Sequence, residues 1–467
     1  MPNRNFKLSV LFALLIAFTT TSCEDILEQQ PPDAGDNVLP SEAVRTFSDL
    51  EEVLISAYDV LANTYNGSIQ NLPSVIIDDL DRPFNQDNYS EIWLRSTNIF
   101  NGSVGGAFFN SYIAILRSNT VIENLDNVPG DNSEKLRVEA EARFIRALCH
   151  FDLVRLFAQP YGFTPDNGHA GIAVRTTTDV ENAPRNSVAQ VYNFVLADLQ
   201  FAKEHLSENT DVYASANAAR ALEALVRFQR HEYDLAYSLS NEVINSGQTS
   251  FDDNNVNMFT FPQVSPEAIF YIFSFEFSPG NVDSRNGAFR GNYLSEGANV
   301  TLRLSQDFYE GATATSASAP RAELFEEREV DGNLFFVTNK FDAEFFHIPV
   351  ISHTQMMLIR AESAGELNLG IDEAIADINR IRERAYGGII NNLPNSANAQ
   401  AVIDAARMES RYELAFTGQR FHDLKRRGAQ GEDIVVRGAP WDCPGMVLQF
   451  PSTEETDLFP LNPAGGC

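Results

Sequence analysis

The sequence predicts a mainly α-helical fold in which packed helix pairs form a scaffold, with an irregular, loop-rich region and a small amount of β-structure. Three observations support this prediction. Apolar residues recur three and four positions apart over much of the chain, as on the buried face of a helix. Two alanine-rich segments have the order helix, short turn, helix, and a long stretch rich in Gly, Asn and Ser lies between them. At 467 residues the chain is long enough for one large domain or for two to three smaller ones.

The first 22 residues have the organisation of a signal peptide. Two basic residues, Arg4 and Lys7, precede an apolar run over residues 8–18 and a short stretch of small polar residues over 19–22. The apolar run is about half the roughly 20 residues that cross a bilayer. We therefore predict that residues 1–22 are a cleaved signal peptide.

Cys23 follows directly after that segment. Its position resembles the lipobox that bacterial lipoprotein signal peptidase recognises, although Thr20 stands where the lipobox usually has an apolar residue. The alternative is an ordinary secretory signal with an incidental cysteine nearby. We predict that Cys23 carries the lipid and that the polar, proline-containing residues 23–40 form a flexible tether.

Helical periodicity follows over residues 41–63, 108–125 and 131–159, and three further helical patterns lie between 187 and 247. The segment ASANAARALEALVRFQRHEYDLAYSLSNEVINSG begins at Ala214, and MMLIRAESAGELNLGIDEAIADINRIRERA begins at Met356. Both resemble a tetratricopeptide unit, because small residues allow two helices to pack closely on either side of a short turn. Two such units are fewer than a stable stack needs, so other helix pairs must complete it.

Residues 268–277 alternate differently. Ile269, Tyr271, Phe273, Phe275 and Phe277 fall on one face at a period of two, which predicts a strand. Residues 279–319 are then rich in Gly, Asn and Ser with scattered aromatic residues, and such a long irregular stretch is often functional.

Composition excludes some classes of function. The formal net charge is -30, so the surface repels phosphate backbones and nucleic-acid binding is not expected. None of the seven histidines forms an HExxH motif, and the sequence contains no GxSxG elbow, P-loop or dinucleotide-binding glycine motif. The acidic clusters lack the spacing of a calcium loop. We therefore predict no catalytic residue, no metal site and no cofactor.

The other cysteines are Cys149, Cys443 and Cys467. Cys149 lies within a helical pattern, where a buried and inert thiol is expected. An oxidising compartment would permit a disulfide between Cys443 and Cys467, but sequence does not establish that the two are close in space.

Several segments, in order, resemble the SusD/RagB family of Bacteroidetes outer-membrane nutrient-binding lipoproteins. The clearest are AEARFIRALCHFDLVRLFAQPYG from Ala140, SRYELAFTGQRFHDLKRRG from Ser410 and the ending FPLNPAGGC. A departure is Thr417, where the family usually has Glu. The matching motif residues are interpreted as structural ion-pair residues: Arg411, Glu413, Arg420 and Asp423.

The resemblance implies a SusD-like fold of tetratricopeptide-like helix pairs, with residues 41–467 as a single domain and a loop-rich insertion around 251–345. It also implies a lipid-anchored protein of the cell outer membrane that faces the exterior. Such a protein captures a glycan or another nutrient, acts as a lid on a SusC-like TonB-dependent transporter, and catalyses no reaction. Two alternatives remain: a secreted hydrolase with an unrecognised carboxylate pair, and a helical-repeat scaffold that binds only proteins.

Candidate ligand contacts are aromatic and hydrogen-bonding residues in loop-like sequence, because sugar rings pack on aromatic planes flanked by polar groups. A buried packing role is the alternative for each of them. The candidates are Trp93, Tyr89, Asn88, Asp87, Trp441, Tyr293, Arg290 and Asn292. The negative charge favours a neutral ligand over an anionic polysaccharide.

Overall fold

The fold is described from a computed structural model that covers residues 44–179, 182–278, 280–297, 299–314 and 318–467. The predicted signal peptide (1–22), the lipidation site Cys23 and the tether (23–40) lie outside these residues.

Helices dominate the described chain. In the first half they are α1 (Phe47–Thr64), α2 (Ser68–Ile76), α3 (Asp87–Trp93), α4 (Gly102–Asn124), α5 (Asn132–Phe157), α6 (Val188–His205), α7 (Ala216–Gln229) and α8 (Tyr233–Asn245). In the second half they are α9 (Gly287–Tyr293), α10 (Gln306–Thr313), α11 (His353–Leu367), α12 (Ile371–Tyr386), α13 (Ala399–Glu413) and α14 (Gln419–Ala429).

Local sequence starts several of these helices. The Thr46 hydroxyl accepts from the backbone N–H of Asp49, and the Asp49 carboxylate accepts from the backbone N–H of Thr46, which is a capping box. Ser187 and Gln190 make the same reciprocal pair at α6. These side chains satisfy N–H groups that a helix leaves without partners at its start.

The helices pack in sequence order, so that α1 contacts α4, α4 contacts α5, and the series continues through α6, α7 and α8 to α11. The two segments predicted as tetratricopeptide units are the pairs α7–α8 and α11–α12. Helix α13 then packs on α11 at Gly365, where a Cβ atom would lie 2.5 Å from the Ile403 side chain. Only glycine permits that approach. The prediction of a mainly α-helical fold built from such pairs is confirmed.

In the described residues, short strands form four two-stranded antiparallel sheets. The strands are β1 (Ala268–Ile272), β2 (Phe275–Ser278), β3 (Asn281–Asp283), β4 (Phe325–Val330), β5 (Asn333–Thr338), β6 (Ile348–Ser352), β7 (Val435–Val436) and β8 (Ala439–Pro440). The pairs are β1–β6, β2–β3, β4–β5 and β7–β8. Since β6 runs directly into α11, the β1–β6 pair attaches the loop-rich region to the helical scaffold.

The prediction of one strand over residues 268–277 is wrong in one respect, because the stretch is divided between β1 and β2. At the break, the Ser274 hydroxyl donates to the Phe346 carbonyl (2.8 Å), and the Ser274 N–H donates to Nδ1 of His347 (3.2 Å). The backbone of Ser274 therefore bonds to a side chain where a continuous strand would bond to another strand.

Near the end of the chain, Cys443 and Cys467 are joined by a disulfide. Cys149 is buried in α5, and burial raises the pKa of its thiol above the ordinary value. No helix in the described part of the chain is both long enough and apolar enough to cross a membrane.

Candidate functional site

The loop after α2 is fixed by a buried carboxylate. Asp79 is 2% exposed and pairs with Arg411 (2.7 Å, Oδ1 to Nη2) and with Arg420. Burial raises the pKa of Asp79, although Arg420 and Arg411 act to lower it. Arg420 also pairs with Asp78 at 2.8 Å. Helices α13 and α14 thereby hold the start of the loop that leads to α3.

The other motif residues also lie in ion pairs. The Glu413 carboxylate lies 2.6 Å from Arg321 and 2.5 Å from Arg384. Burial alone would raise the pKa of Glu413, but Arg384 and Arg321 together hold it below its ordinary value. Asp423 pairs with Arg426 at 2.5 Å. Glu413 therefore joins α13 to α12 and to the segment before β4, whereas the Asp423 pair lies within α14.

Two loop segments and strand β5 lie side by side next to the loop that Asp79 fixes. Single bridges join Leu80 to Leu304 and Leu304 to Phe336. The backbone N–H of Asp81 donates to the Arg303 carbonyl, and that of Phe84 donates to the Thr301 carbonyl, both at 2.9 Å. These bonds bring the sequence before α3 against the loop-rich region that is more than 200 residues away in the chain.

Tyr89 on α3 and Asn292 on α9 lie close together, with Tyr89 buried at 6% exposed. The Tyr89 hydroxyl accepts a long bond from Asn71 (3.4 Å, Nδ2 to Oη), and the nearby Asn292 side chain, whose Nδ2 donates to the Ala288 carbonyl (2.6 Å), acts to lower the pKa of Tyr89. Burial raises the pKa of the Tyr89 hydroxyl, so it stays protonated. Asp87, in the first turn of α3, is exposed, and Asn88 is half-buried. Tyr89 therefore has a packing role, and the accessible predicted residues of this region are Asp87, Asn88 and Asn292.

Arg290 on α9 has an unsatisfied hydrogen-bond donor. Its side chain is half-buried, and among the described residues its Nε atom has no hydrogen-bond partner. A buried donor without a partner costs about 1–3 kcal/mol.

Arg303, Phe84 and Phe335 form a further part of this face that sequence reasoning missed. The Arg303 guanidinium lies 4.4 Å from the Phe84 ring centre and 4.1 Å from that of Phe335. Burial lowers the pKa of Arg303, while nearby Asp81 acts to raise it. No local pattern pairs these residues, because they come from three separate segments.

The remaining predicted residues have packing roles. One face of Trp93 is covered by the Arg437 guanidinium at 4.3 Å, and its Nε1 donates to the Leu80 carbonyl (3.3 Å). Trp441 packs against α14, where a Cβ on Gly428 would lie 2.2 Å from the indole ring. Tyr293 is fully buried, with its ring 5.1 Å from that of Phe341. The structure therefore places Tyr293 in the core and not on a ligand-facing surface.

The candidate site is thus the face formed by α3, α9 and the loop around Asp81, which we call the α3–α9 face. It presents carboxylates, amides and a guanidinium beside aromatic rings. Among the described residues no group of three or more His, Cys, Asp or Glu side chains could hold a metal ion. Such a surface can both donate hydrogen bonds to a polyhydroxylated ligand and accept them from it.

Comparisons with known proteins agree with this architecture. A family model described as "Starch-binding associating with outer membrane" matches residues 29–229, and the SusD family model matches residues 347–437. SusD-like protein P2 of Formosa agariphila is 26% identical, over 91% of this chain and 90% of that protein.

Solved structures show the same fold. A SusD superfamily protein from Bacteroides vulgatus has a TM-score of 0.77 at 21% identity, covering 90% of this chain and 99% of that one. Surface glycan-binding protein A from Bacteroides fluxus has a TM-score of 0.70 at 19% identity, covering 90% of this chain and 100% of that one.

Proposed function

The chain belongs to the SusD/RagB family, and from this premise we propose that it is a cell-surface lipoprotein that binds a nutrient glycan. In this proposal the protein captures an oligosaccharide or polysaccharide and delivers it to a SusC-like TonB-dependent transporter in the outer membrane. It acts by binding and catalyses no reaction.

The observation that carries the proposal is the meeting of α3 and α9. Asn71 on α2 donates to the Tyr89 hydroxyl and to the Ala288 carbonyl, both at 3.4 Å, and so links α3, which carries the exposed Asp87, to α9, which carries Arg290. Sugar hydroxyls donate and accept hydrogen bonds, so they match a face that offers both kinds of partner. The glycan-binding neighbour from Bacteroides fluxus shares the fold, which supports this class of ligand.

The charge of the protein narrows the ligand class. A net charge of -30 repels a polyanion, whose approach is unfavourable at low salt. We therefore propose a neutral glycan. Tight binding to a polyuronate would contradict this part of the proposal.

Anchoring through Cys23 is the second part of the proposal. Several acyl chains, at about 0.8 kcal/mol per buried methylene, make membrane attachment effectively permanent. The Cys23→Ala variant is expected to move from the membrane fraction to the soluble fraction, as measured by immunoblotting of fractionated cells. Equal membrane retention of the variant and the parent would remove the anchor from the proposal.

Replacing Arg290 with alanine is expected to weaken glycan binding by at least about tenfold, because a charged hydrogen bond contributes about 1.5–3 kcal/mol. The measurement is retardation in native gels containing a panel of neutral and anionic polysaccharides. The lipid-free protein (Cys23→Ala) is used throughout.

Arg380→Ala is the matched control, because it removes the same charge from α12, where Arg380 forms an exposed ion pair with Asp253. Its retardation should equal that of the parent. Equal retardation of the Arg290 variant would exclude the α3–α9 face as the ligand site. Release of sugar products from a retained polysaccharide would favour the hydrolase alternative.

A further inference from the structure

Three phenylalanines point outward in succession from the strand region at residues 273–277. Phe273, Phe275 and Phe277 are 36%, 49% and 64% exposed, and we call them the phenylalanine ladder. Their ring centres are 6.2 Å and 5.0 Å apart. Because neighbouring ring centres are this close, the three exposed rings form one continuous apolar ridge across the break at Ser274. A contiguous exposed apolar patch of this kind usually marks an interaction site.

The base of the ladder is rigid. Phe273 stacks on the His347 ring at 4.8 Å with an interplanar angle of 9°. His347 is fixed by two bonds, since its Nε2 donates to the Pro262 carbonyl (3.1 Å) and its Nδ1 accepts from the Ser274 N–H (3.2 Å). The rings of Phe261 and Phe345 extend this base beneath the strand. Little conformational entropy is therefore lost when a partner binds the ridge.

Acidic groups surround the ladder. Asp283 lies opposite Phe275 in the β2–β3 register and so shares its face. Arg285 is the nearby cation, and it is shared between Asp283 (2.5 Å) and Asp59 (2.8 Å). Glu344 is exposed beside Phe345. The surroundings of the ladder therefore contain three carboxylates and one guanidinium, and we call these groups the acidic rim.

The shape of the ladder and the charge of its surroundings decide which kind of partner can bind there. A second copy of this chain would bring acidic rim against acidic rim, and like charges across an interface are unfavourable. An anionic lipid surface is disfavoured for the same reason. A glycan needs aromatic rings that it can cover together, but neighbouring rings of the ladder are tilted by 50° and 83°. A protein groove with an apolar floor and basic edges matches both the shape and the charge.

We propose that the phenylalanine ladder is the ridge by which this protein docks into an apolar, basic-edged groove on the extracellular side of its transporter. This inference rests on the proposed function, because it assumes that a transporter is the partner. The inference adds to the proposed function the surface that contacts the transporter and the chemistry of that contact. Aromatic anchors at the centre of an interface commonly supply most of its binding energy.

The test is co-purification from detergent-extracted outer membranes of cells that make the tagged, full-length protein. The amount of TonB-dependent transporter recovered per lipoprotein is measured by mass spectrometry. The double variant Phe275→Ser/Phe277→Ser is expected to recover at least about tenfold less transporter than the parent. Glu344→Lys is expected to reduce recovery as well, because it reverses one charge of the acidic rim.

Ile389→Ser/Ile390→Ser is the matched control, because these two apolar residues are 73% and 88% exposed and lie outside the ladder. It should recover as much transporter as the parent. Full recovery with the phenylalanine variant would overturn the docking proposal and leave the transport function intact. A parent that recovers no transporter would overturn both.

Two further measurements separate the other occupants. Light scattering of the lipid-free parent and of the phenylalanine variant should give the same mass, and a dimer present only in the parent would assign the ladder to a second copy. Retardation in polysaccharide gels should also be equal for the two proteins. Reduced retardation of the variant would make the ladder a glycan surface, and it too would overturn the proposal.

Discussion

Replacing Arg321 with methionine is expected to lower the free energy of unfolding by about 3–5 kcal/mol. Arg321 is 2% exposed, and its guanidinium lies 2.5 Å from Glu409 and 2.6 Å from Glu413. It also donates to the Tyr386 hydroxyl at 3.2 Å. Removing this cation leaves two buried carboxylates with incomplete compensation, and a buried unpaired charge is costly.

Arg380→Met is the control for this prediction, because it removes an ion pair whose side chains are 49% and 57% exposed. Exposed pairs contribute about 0–1 kcal/mol, so the control should change stability little. Urea unfolding of the lipid-free proteins, followed by far-UV circular dichroism, measures both variants. Equal losses in the two would mean that burial does not determine the strength of the Arg321 network.

Stability is also expected to fall as the pH drops below about 6.5, because buried histidines must stay neutral in the folded state. His150 is the clearest case. Its Nδ1 donates to the Arg146 carbonyl (2.8 Å), and its Nε2 accepts from the Arg175 N–H (3.2 Å). A protonated ring could not accept the second bond. Burial lowers the pKa of His150 to about 3, and that of His353 to about 4.

The direction of this pH effect follows from the difference in histidine pKa between the unfolded chain and the folded protein. The unfolded chain binds protons at the ordinary pKa of about 6.5, whereas the folded protein binds them only at a much lower pH. The stabilisation is therefore complete above pH 6.5 and is lost as the pH falls towards 3–4. At pH 5 each such histidine costs about 2 kcal/mol, at about 1.4 kcal/mol per pH unit.

The measurement is the urea midpoint between pH 6.5 and 5. This window lies below the pKa of about 7 to which burial lowers Lys425. Asp79 and Glu267, whose pKa values are raised by burial, act in the opposite direction. Comparison with His150→Gln cancels their effect, because glutamine keeps a donor and an acceptor but does not titrate. The slope of unfolding free energy against pH should be smaller for His150→Gln than for the parent, by the equivalent of about one proton bound on unfolding. An unchanged slope would contradict the prediction.

Much of the helical scaffold could be predicted because its signals are local. The period of apolar residues and the alanine positions are present within the segments that become α7–α8 and α11–α12. The division of the strand at Ser274 could not be predicted in this way. Its cause is the bonds to Phe346 and His347, which lie more than 70 residues further along the chain.

The candidate site was only partly predictable for a similar reason. The sequence indicates which residues suit a ligand, but it does not say that Tyr89 is buried or that Arg437 covers Trp93. Tyr293 lies in the same loop-rich stretch as Asn292, yet its ring is in the core. Likewise, a period of two shows that Phe273 and Phe275 share a face without showing that this face is exposed.

The cysteines of the described chain have a practical consequence for measuring motion. Cys149 is buried with a protonated thiol, and Cys443 is joined to Cys467, so none of these three sulfurs is available to a maleimide dye. In the Cys23→Ala background, a cysteine introduced at exposed Asp253 can carry a fluorophore alone. Its anisotropy would then report the tumbling of the protein when free and when seated on a membrane partner.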